Sequence, residues 1–362
     1  MKNAKYFPIL PLGRASGVGI SSAIEASPQA ITPIFVAASP SVDPITLEFQ
    51  YSPMRHALNI LECLTQFTSD SSAFGLQLPN PPDDASLGET SLMGVYESLL
   101  SGGRQVYPVL AITGPDIWKV QAQALRKVNR LNKWIFRLTL TNRGATAEEL
   151  RSWVSRALDV VVAEPEDVDL VVDLGYVGGW QTMSSVGGVE HWLRVLSESF
   201  NWRNVGLIAS SLPSFFRNNT SDSFPVIRDD WALFRELRRR MGSGVQLSFG
   251  DYSIFGSPSS LCPPSAGSEM LFPYSGASSW FVFKADPGAA SLSEECHRLM
   301  QRLAGYPAIY MGADFSFGDA HLARLAEGGF AKDDLGYYVG VISALVSHHS
   351  DLVASQLRRL SV

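Results

Sequence analysis

The feature that constrains this chain most is a repeated alternation between short apolar runs and stretches of helical periodicity. The runs are rich in β-branched and aromatic residues, and each ends at a turn or a polar segment. Strands that are apolar on both faces and alternate with helices are typical of a parallel sheet covered on both sides. Eight such runs are present, which is the number that closes a (β/α)8 TIM-type barrel. They are residues 6–12, 31–37, 73–78, 106–112, 134–140, 168–174, 205–211 and 245–249.

Helical patterns fill most of the intervals, and one of them carries a clear start signal. Thr146 is followed three residues later by Glu149, which is the capping-box pattern. An open doubly wound sheet is the competing architecture, and it would usually show a phosphate-binding glycine loop after its first strand. Residues 13–19 are glycine-rich but match neither dinucleotide nor P-loop spacing, so we predict a plain loop there. The barrel is therefore the preferred fold. The helical patterns cover residues 116–131, 146–161, 191–200 and 229–241.

The chain is predicted to form one domain over residues 1–362, since α/β barrels routinely reach this length. The barrel occupies about residues 6–252. A long loop rich in Ser, Pro and Gly follows at 253–278, and a C-terminal extension of strands and helices covers 279–362. Residues 80–93 are predicted to form a turn-rich loop.

Composition argues against several classes of partner. Lys and Arg number 29 against 35 Asp and Glu, a net charge of -6, so the chain lacks the basic footprint of nucleic-acid-binding proteins. Its three cysteines show no CxxC spacing, which disfavours a disulfide framework or a thiolate zinc site. No signal-peptide pattern is present, and no run reaches the roughly 18 apolar residues of a membrane helix. We expect a cytoplasmic protein without membrane contact.

Polar residues at the C-terminal ends of barrel strands point into the mouth, where barrels carry their sites. Arg137 lies inside an otherwise apolar strand, so its guanidinium should meet a carboxylate or a bound anion. Asp173 ends a later strand and is a candidate partner. A purely structural ion pair is the alternative interpretation.

Two aspartates, Asp173 and Asp251, are the candidate acid–base pair if the protein is a hydrolase. Glutamates are absent from the strand ends, which weakens the glycosidase case, and no GxSxG nucleophile motif appears. Catalysis therefore remains an alternative to binding.

Ligand binding is predicted mainly in the loops after the seventh and eighth strands, where barrels often build anion sites. We expect Asp251, Tyr252, Lys284 and Asp319 to converge on one pocket; alternatively, these residues hold the long loop and the C-terminal helix on the barrel. His348 and His349 are adjacent on a predicted helix and point about 100° apart, so they cannot easily share one ion. No metal and no cofactor is predicted. The candidate ligand-binding residues are Arg137, Ser210, Ser211, Gly250, Tyr252, Lys284, Asp319 and His348.

Several segments, in this order along the chain, resemble the phage beta-protein family: YFPILPL, ITPIFV, VVDLG, ASSLP, FGDYS, FSFGD and SHHSDLVASQL. The sequence departs from the family pattern in three places: PIFVAASP holds no acid, Tyr337 and Tyr338 replace a Trp-Arg pair, and Lys284 replaces an arginine. Members occur in some phages and in bacterial genomes, often near defence genes. The resemblance implies a fold and a context rather than a mechanism.

From this context we expect a bacterial accessory protein in phage–host conflict. Its barrel mouth would recognise either a partner protein encoded nearby or a small anionic ligand. The alternative function is a metal-independent hydrolase of a phosphoester or glycoside that uses the paired aspartates.

Overall fold

Eight parallel strands close into a barrel in a computed structural model of the chain. The model describes residues 5–39, 52–68, 72–79, 86–114, 118–140, 145–179, 183–213, 221–256, 270–286, 289, 291–328 and 334–360. Each barrel strand pairs with the next one along the chain, and the last pairs with both the seventh and the first to complete the circle. The barrel strands are β1 (Tyr6–Pro11), β2 (Ile34–Val36), β3 (Phe74–Gln77), β4 (Val106–Ile112), β5 (Trp134–Thr139), β6 (Val168–Tyr176), β7 (Asn204–Ser210) and β9 (Leu247–Asp251).

Helices lie between the strands, so the predicted (β/α)8 barrel is confirmed. The capping box predicted at Thr146 and Glu149 is present in full at the start of α5. Among the residues described above, no helix combines the length and the hydropathy that crossing a membrane requires. The helices are α1 (Arg14–Ala26), α2 (Pro53–Phe67), α3 (Ser86–Ser101), α4 (Lys119–Val128), α5 (Ala147–Val161), α6 (Met183–Ser199), α7 (Asp229–Met241), α8 (Leu292–Ala304), α9 (Phe317–Ala326) and α10 (Asp334–Leu360).

The barrel interior is filled by side chains, not hollow. Successive residues of a strand point to opposite faces, so every second residue faces inward. A middle layer is apolar and completely buried, and a polar layer lies on each side of it. At the N-terminal ends of the strands, Arg203 is paired with Asp169 at 2.8 Å and lies over the ring of Tyr107. The middle layer consists of Phe7, Ile9, Ile34, Val109, Ile135, Val171 and Ile208.

A small antiparallel sheet of three strands lies outside the barrel, and the strand that comes last in the sequence is its central strand. Its strands are β8 (Ser223–Ile227), β10 (Leu271–Ser275) and β11 (Ser279–Lys284). No element is predicted at β8 from the sequence, because this edge strand is short, partly exposed and interrupted by Pro225. β10 lies within the predicted loop 253–278, which also contains a 3-10 helix at Ser253–Phe255; residues 257–269 of that loop are outside the described residues.

The long C-terminal helix α10 packs against α1 and β1, so it completes the ring of helices around the barrel. Glycines make this contact close. A Cβ added at Gly19 of α1 would overlap the Ser343 carbonyl of α10, and one added at Gly318 of α9 would overlap the Ala344 carbonyl. The eighth helix of the barrel therefore comes from the predicted C-terminal extension.

Two predicted loops are helical in the structure. Residues 13–19 were predicted as a plain loop, but α1 begins at Arg14 and its glycines serve helix packing: Gly17 faces Phe67 and Gly19 faces α10. Residues 80–93 were also predicted as loop, but α3 begins at Ser86, while residues 80–85 lie outside the described residues. The glycines of α1 therefore serve close packing and do not mark a turn.

The close approach of α1 and α10 predicts an unfavourable Gly19→Ala substitution. The new methyl group would meet the Ser343 carbonyl, and overpacking of this kind costs about 1–3 kcal/mol. The matched control is Gly187→Ala in α6, where nothing lies within 4 Å of the added Cβ, so the helix should gain about 0.5–1 kcal/mol. Urea unfolding of both variants measures the difference. Equal midpoints would contradict this account of the contact.

Candidate functional site

The mouth of the barrel has a polar floor formed by Gln77, Arg137, Asp173 and Tyr252, which we call the mouth floor. The Arg137 guanidinium donates from Nε to Asp173 Oδ2 at 2.8 Å and from Nη1 to Gln77 Oε1 at 2.8 Å. Its Nη2 donates to the Tyr252 hydroxyl at 2.9 Å, and that hydroxyl donates to Asp173 Oδ2 at 2.5 Å. The predicted Arg137–Asp173 pair is confirmed, and both side chains are buried.

Burial and charge act in opposite directions on this cluster. Burial by itself lowers the pKa of Arg137, but the Asp173 carboxylate and the Tyr252 hydroxyl outweigh it, so the guanidinium stays charged. Burial, reinforced by the charge of Asp173, raises the pKa of Tyr252 well above its ordinary value. The floor is therefore a neutral combination of one cation, one anion, a phenol and an amide.

Asp251 precedes Tyr252 by one residue and points out of the barrel, not into it. Its Oδ1 accepts from the Tyr6 hydroxyl at 2.7 Å and from the Ser253 N–H at 2.8 Å. Its Oδ2 lies 2.8 Å from Nε2 of His349 on α10. Asp251 thus joins two barrel strands to the eighth helix, and both carboxylate oxygens are used in doing so.

A second group of buried polar side chains adjoins His349. The Arg228 guanidinium lies over the rings of Trp231 and Trp280, 5.6 Å and 5.4 Å from their centroids. Trp280 Nε1 donates to the Ser211 hydroxyl at 3.1 Å, and that hydroxyl donates to Asp230. The indole of Trp280 also packs on the His349 ring at 4.6 Å. We call this buried contact between the barrel wall, α10 and β11 the seam; it contains Tyr6, Ser211, Arg228, Asp230, Asp251, Trp280 and His349.

His348 faces a different set of partners from its neighbour. Its Nδ1 lies 2.7 Å from Asp319 Oδ2, and its Nε2 donates to the Ser275 carbonyl at 2.8 Å. Tyr274 stacks on the ring at 4.0 Å and donates to Asp319 Oδ1 at 2.8 Å. His348 therefore connects α10 to α9 and β10, and all of these groups are buried.

The predicted convergence of Asp251, Tyr252, Lys284 and Asp319 on one pocket is wrong. Successive residues of a strand point to opposite faces, so Tyr252 enters the barrel and Asp251 leaves it. Asp319 contacts His348, and Lys284 lies at the end of β11, paired with Leu271. The contacts of Asp251 and Asp319 with α10 match the alternative interpretation, in which these residues hold the C-terminal helix in place.

The remaining predicted residues are also engaged in the fold. The Ser210 hydroxyl accepts from the Leu212 N–H at 3.1 Å and shapes the turn after β7. Gly250 was predicted to let a ligand approach; in the structure a Cβ there would lie 2.6 Å from the Phe7 carbonyl and 2.7 Å from Ile208. The space beside Gly250 is therefore filled by the barrel core.

The structure also bears on the hydrolase alternative, because Asp173 and Asp251 lie on opposite faces of the barrel wall. Each has both carboxylate oxygens hydrogen-bonded to the protein. A general acid and base must reach one substrate. The arrangement does not favour these two residues as a catalytic pair.

Sequence reasoning missed Gln77, Tyr6, Arg228 and Trp280. Gln77 ends β3 facing inward, so the rule that selected Arg137 could have found it. Arg228 and Trp280 gave no such signal, because they are brought together by a loop and by a strand of the small sheet.

The buried pair predicts that Arg137→Ala is strongly destabilising. Removing the guanidinium leaves the Asp173 charge buried without its partner, which costs about 3–5 kcal/mol. Chemical denaturation should show the loss as a lower midpoint. Arg126→Ala, at an exposed position on α4, is the control and should stay within about 0.5 kcal/mol of wild type. An unchanged midpoint for Arg137→Ala would mean that the pair adds nothing.

The structure is similar to several solved structures, all at low sequence identity. A GH113 beta-1,4-mannanase is 11% identical, with 70% of this chain and 89% of that chain covered and a TM-score of 0.38. A putative alpha-L-fucosidase from Bacteroides thetaiotaomicron is 10% identical, with 71% and 88% covered and a TM-score of 0.42. A fungal beta-1,4-galactanase is 11% identical, with 70% and 90% covered and a TM-score of 0.42. TM-scores this low indicate no ligand or activity for this chain.

No curated protein matches the chain. A family model described as "Beta protein" matches residues 6–349, which is nearly the whole chain. The chain therefore belongs to the beta protein family.

Proposed function

We propose that this protein binds a small ligand at the barrel mouth through a hydrogen-bond-accepting group of that ligand, such as a carboxylate or a phosphate. The observation that carries the proposal is the direction of the hydrogen bonds in the mouth floor. The acceptor atoms of its carboxylate and its amide are used inside the protein, whereas donors are left toward the mouth.

The oxygens of the Asp173 carboxylate and of the Gln77 amide all accept hydrogen bonds within the protein. Asp173 Oδ1 accepts from the Gly175 N–H at 2.9 Å, and Oδ2 accepts from Arg137 and Tyr252. Gln77 Oε1 accepts from Arg137 Nη1. This bond fixes the orientation of the amide, so the two N–H groups of Gln77 Nε2 are the ones available to a ligand.

One half of the mouth is more open than the other. The last inward-facing residues of β1 to β5 are half-buried, whereas Asp173, Ser210 and Tyr252 at β6, β7 and β9 are buried. The open half presents small side chains beside Gln77, so a compact ligand can reach the floor. Thr139 adds a hydroxyl that has no hydrogen bond within the described part of the chain. The half-buried residues are Pro11, Val36, Gln77, Ala111 and Thr139.

The pairing of Arg137 with Asp173 determines how the mouth floor would attract a ligand. Asp173 neutralises the charge of Arg137, and the floor therefore attracts a ligand mainly by its donors, with little long-range field. Donors fixed in position before binding lose less freedom when the ligand arrives, which favours affinity. A ligand with an anionic acceptor group gains most, because charge-assisted hydrogen bonds are stronger than neutral ones.

We also propose a cytoplasmic role in the conflict between phages and bacteria, which is the context that the resemblance to the phage beta-protein family implies. The mouth would sense or sequester a small anionic molecule in that setting. Capture of a partner protein would use the same floor only if the partner inserted an acidic side chain into the mouth.

The proposal is tested with Gln77→Glu, which replaces the outward donor by an acceptor and adds a negative charge. Thermal unfolding would be followed with inorganic phosphate and, separately, with succinate. We expect either anion to raise the melting temperature of the wild type. We expect Gln77→Glu to weaken anion binding about tenfold or more. The hydrogen bond from the Gln77 amide to the anion, worth about 1 kcal/mol, is lost, and the new carboxylate repels the anion.

The matched control is Gln246→Glu, which makes the same change at an exposed position just before β9, at the opposite end of the barrel. It should respond to both anions as the wild type does. An equal response of all three proteins would place anion binding elsewhere. No response in any of them would remove both phosphate and carboxylate as the recognised group.

A further inference from the structure

His349 is a buried titratable side chain that takes no part in the mouth floor. We propose that it is a proton-sensitive latch: when His349 is protonated, the seam opens at β11. This inference concerns the C-terminal side of the molecule and does not depend on which ligand the mouth binds.

The geometry of the closed seam fits a neutral imidazole. Asp251 only accepts, so the proton of His349 lies on Nε2, which donates to Oδ2 at 2.8 Å. In a neutral ring Nδ1 is then an acceptor without a proton. No donor reaches Nδ1 within the described part of the chain, and the atom is buried.

Among the described residues, the groups that face His349 come from several elements, and Arg228 is the one with a fixed positive charge. Tyr6 lies on β1 and Asp251 on β9, while Arg228 and Asp230 lie at the start of α7. Arg228 opposes a second cation in the seam. On α10 itself the nearest titratable neighbour is His348, which contacts Asp319 of α9. Asp351 lies two residues after His349, and burial raises its pKa to about 6 although His348 and Arg358 lower it.

Protonation of His349 disfavours the closed seam in two ways. It places a second N–H on the buried ring, with no acceptor among the described residues, and it puts a positive charge beside Arg228. Burial, and next to it the charge of Arg228, hold the pKa of His349 below its ordinary value although Asp251 raises it. Because the open seam takes up the proton more readily, the closed seam is favoured above about pH 6.5 and is lost as the pH falls below it.

The element that covers His349 from outside the barrel is β11, the central strand of the small sheet. The indole of Trp280 covers the His349 ring, and β11 belongs to the small sheet, not to the closed barrel. Hydrogen bonds connect this part of the sheet to residues that follow β7: Trp280 donates to Ser211, and Arg228 donates from its N–H to the Ser278 carbonyl and from Nη1 to the Gly276 carbonyl. None of these contacts belongs to the hydrogen bonds between the barrel strands, so we expect the opening to be confined to the small sheet.

The experiment is hydrogen exchange of the full chain, followed by mass spectrometry at about pH 7.5 and about pH 5 and expressed as protection factors. In the wild type, the protection of Ser279–Lys284 should fall about tenfold or more at the lower pH, while Trp134–Thr139 of the barrel keeps its protection. In His349→Gln the side-chain amide still donates to Asp251 but cannot be protonated, so the protection of β11 should no longer depend on pH. The control is His297→Gln on α8, which should behave like the wild type.

Three results would overturn the latch: no loss of β11 protection in the wild type, the same loss in His349→Gln, or an equal loss in the barrel strands, which would be global unfolding. If His349→Gln does not fold, histidine-selective NMR of the wild type decides. His349 should then be neutral with its proton on Nε2 at about pH 7.5, and its titration should coincide with the loss of β11 protection. A protonated His349 at that pH would contradict the proposal.

Discussion

A charged guanidinium inside a barrel is tolerated only when it is paired, and the burial of Arg137 organises the mouth around this requirement. Asp173 supplies the opposite charge, and Tyr252 and Gln77 complete the hydrogen bonds. Once these bonds are made, the orientation of the Gln77 amide is no longer free. The pairing that stabilises the buried charge of Arg137 also determines which hydrogen-bonding groups the mouth presents.

The alternation of side chains along β9 separates two functions that adjoin in sequence. Tyr252 points inward to the mouth floor, while Asp251 points outward to Tyr6 and His349. A slip of one residue would exchange them, placing an aspartate in the barrel core and a tyrosine against α10. Gly250 holds the strand close to Phe7 and thereby fixes this register.

Helix α10 connects the barrel to the small sheet and to α9. Because adjacent residues on a helix point about 100° apart, His348 and His349 reach different partners. His349 contacts Asp251 and Trp280, whereas His348 contacts Asp319 and Tyr274. The same helix lies against Gly19 of α1 at a distance that only glycine allows. One helix thus closes the barrel and holds the small sheet and α9.

The sequence by itself determined the eight strands, the barrel and the pairing of Arg137 with Asp173. Each depends on a local pattern: apolar runs at regular intervals, and a charge in an apolar strand that must find a partner. Only the tertiary structure decided that Asp251 and Tyr252 face apart, that α10 supplies the eighth helix, and that Arg228, Trp280 and His349 meet in the seam. These contacts join residues far apart in the chain, across an edge strand with a proline and glycines that serve packing, and no local pattern encodes such distances.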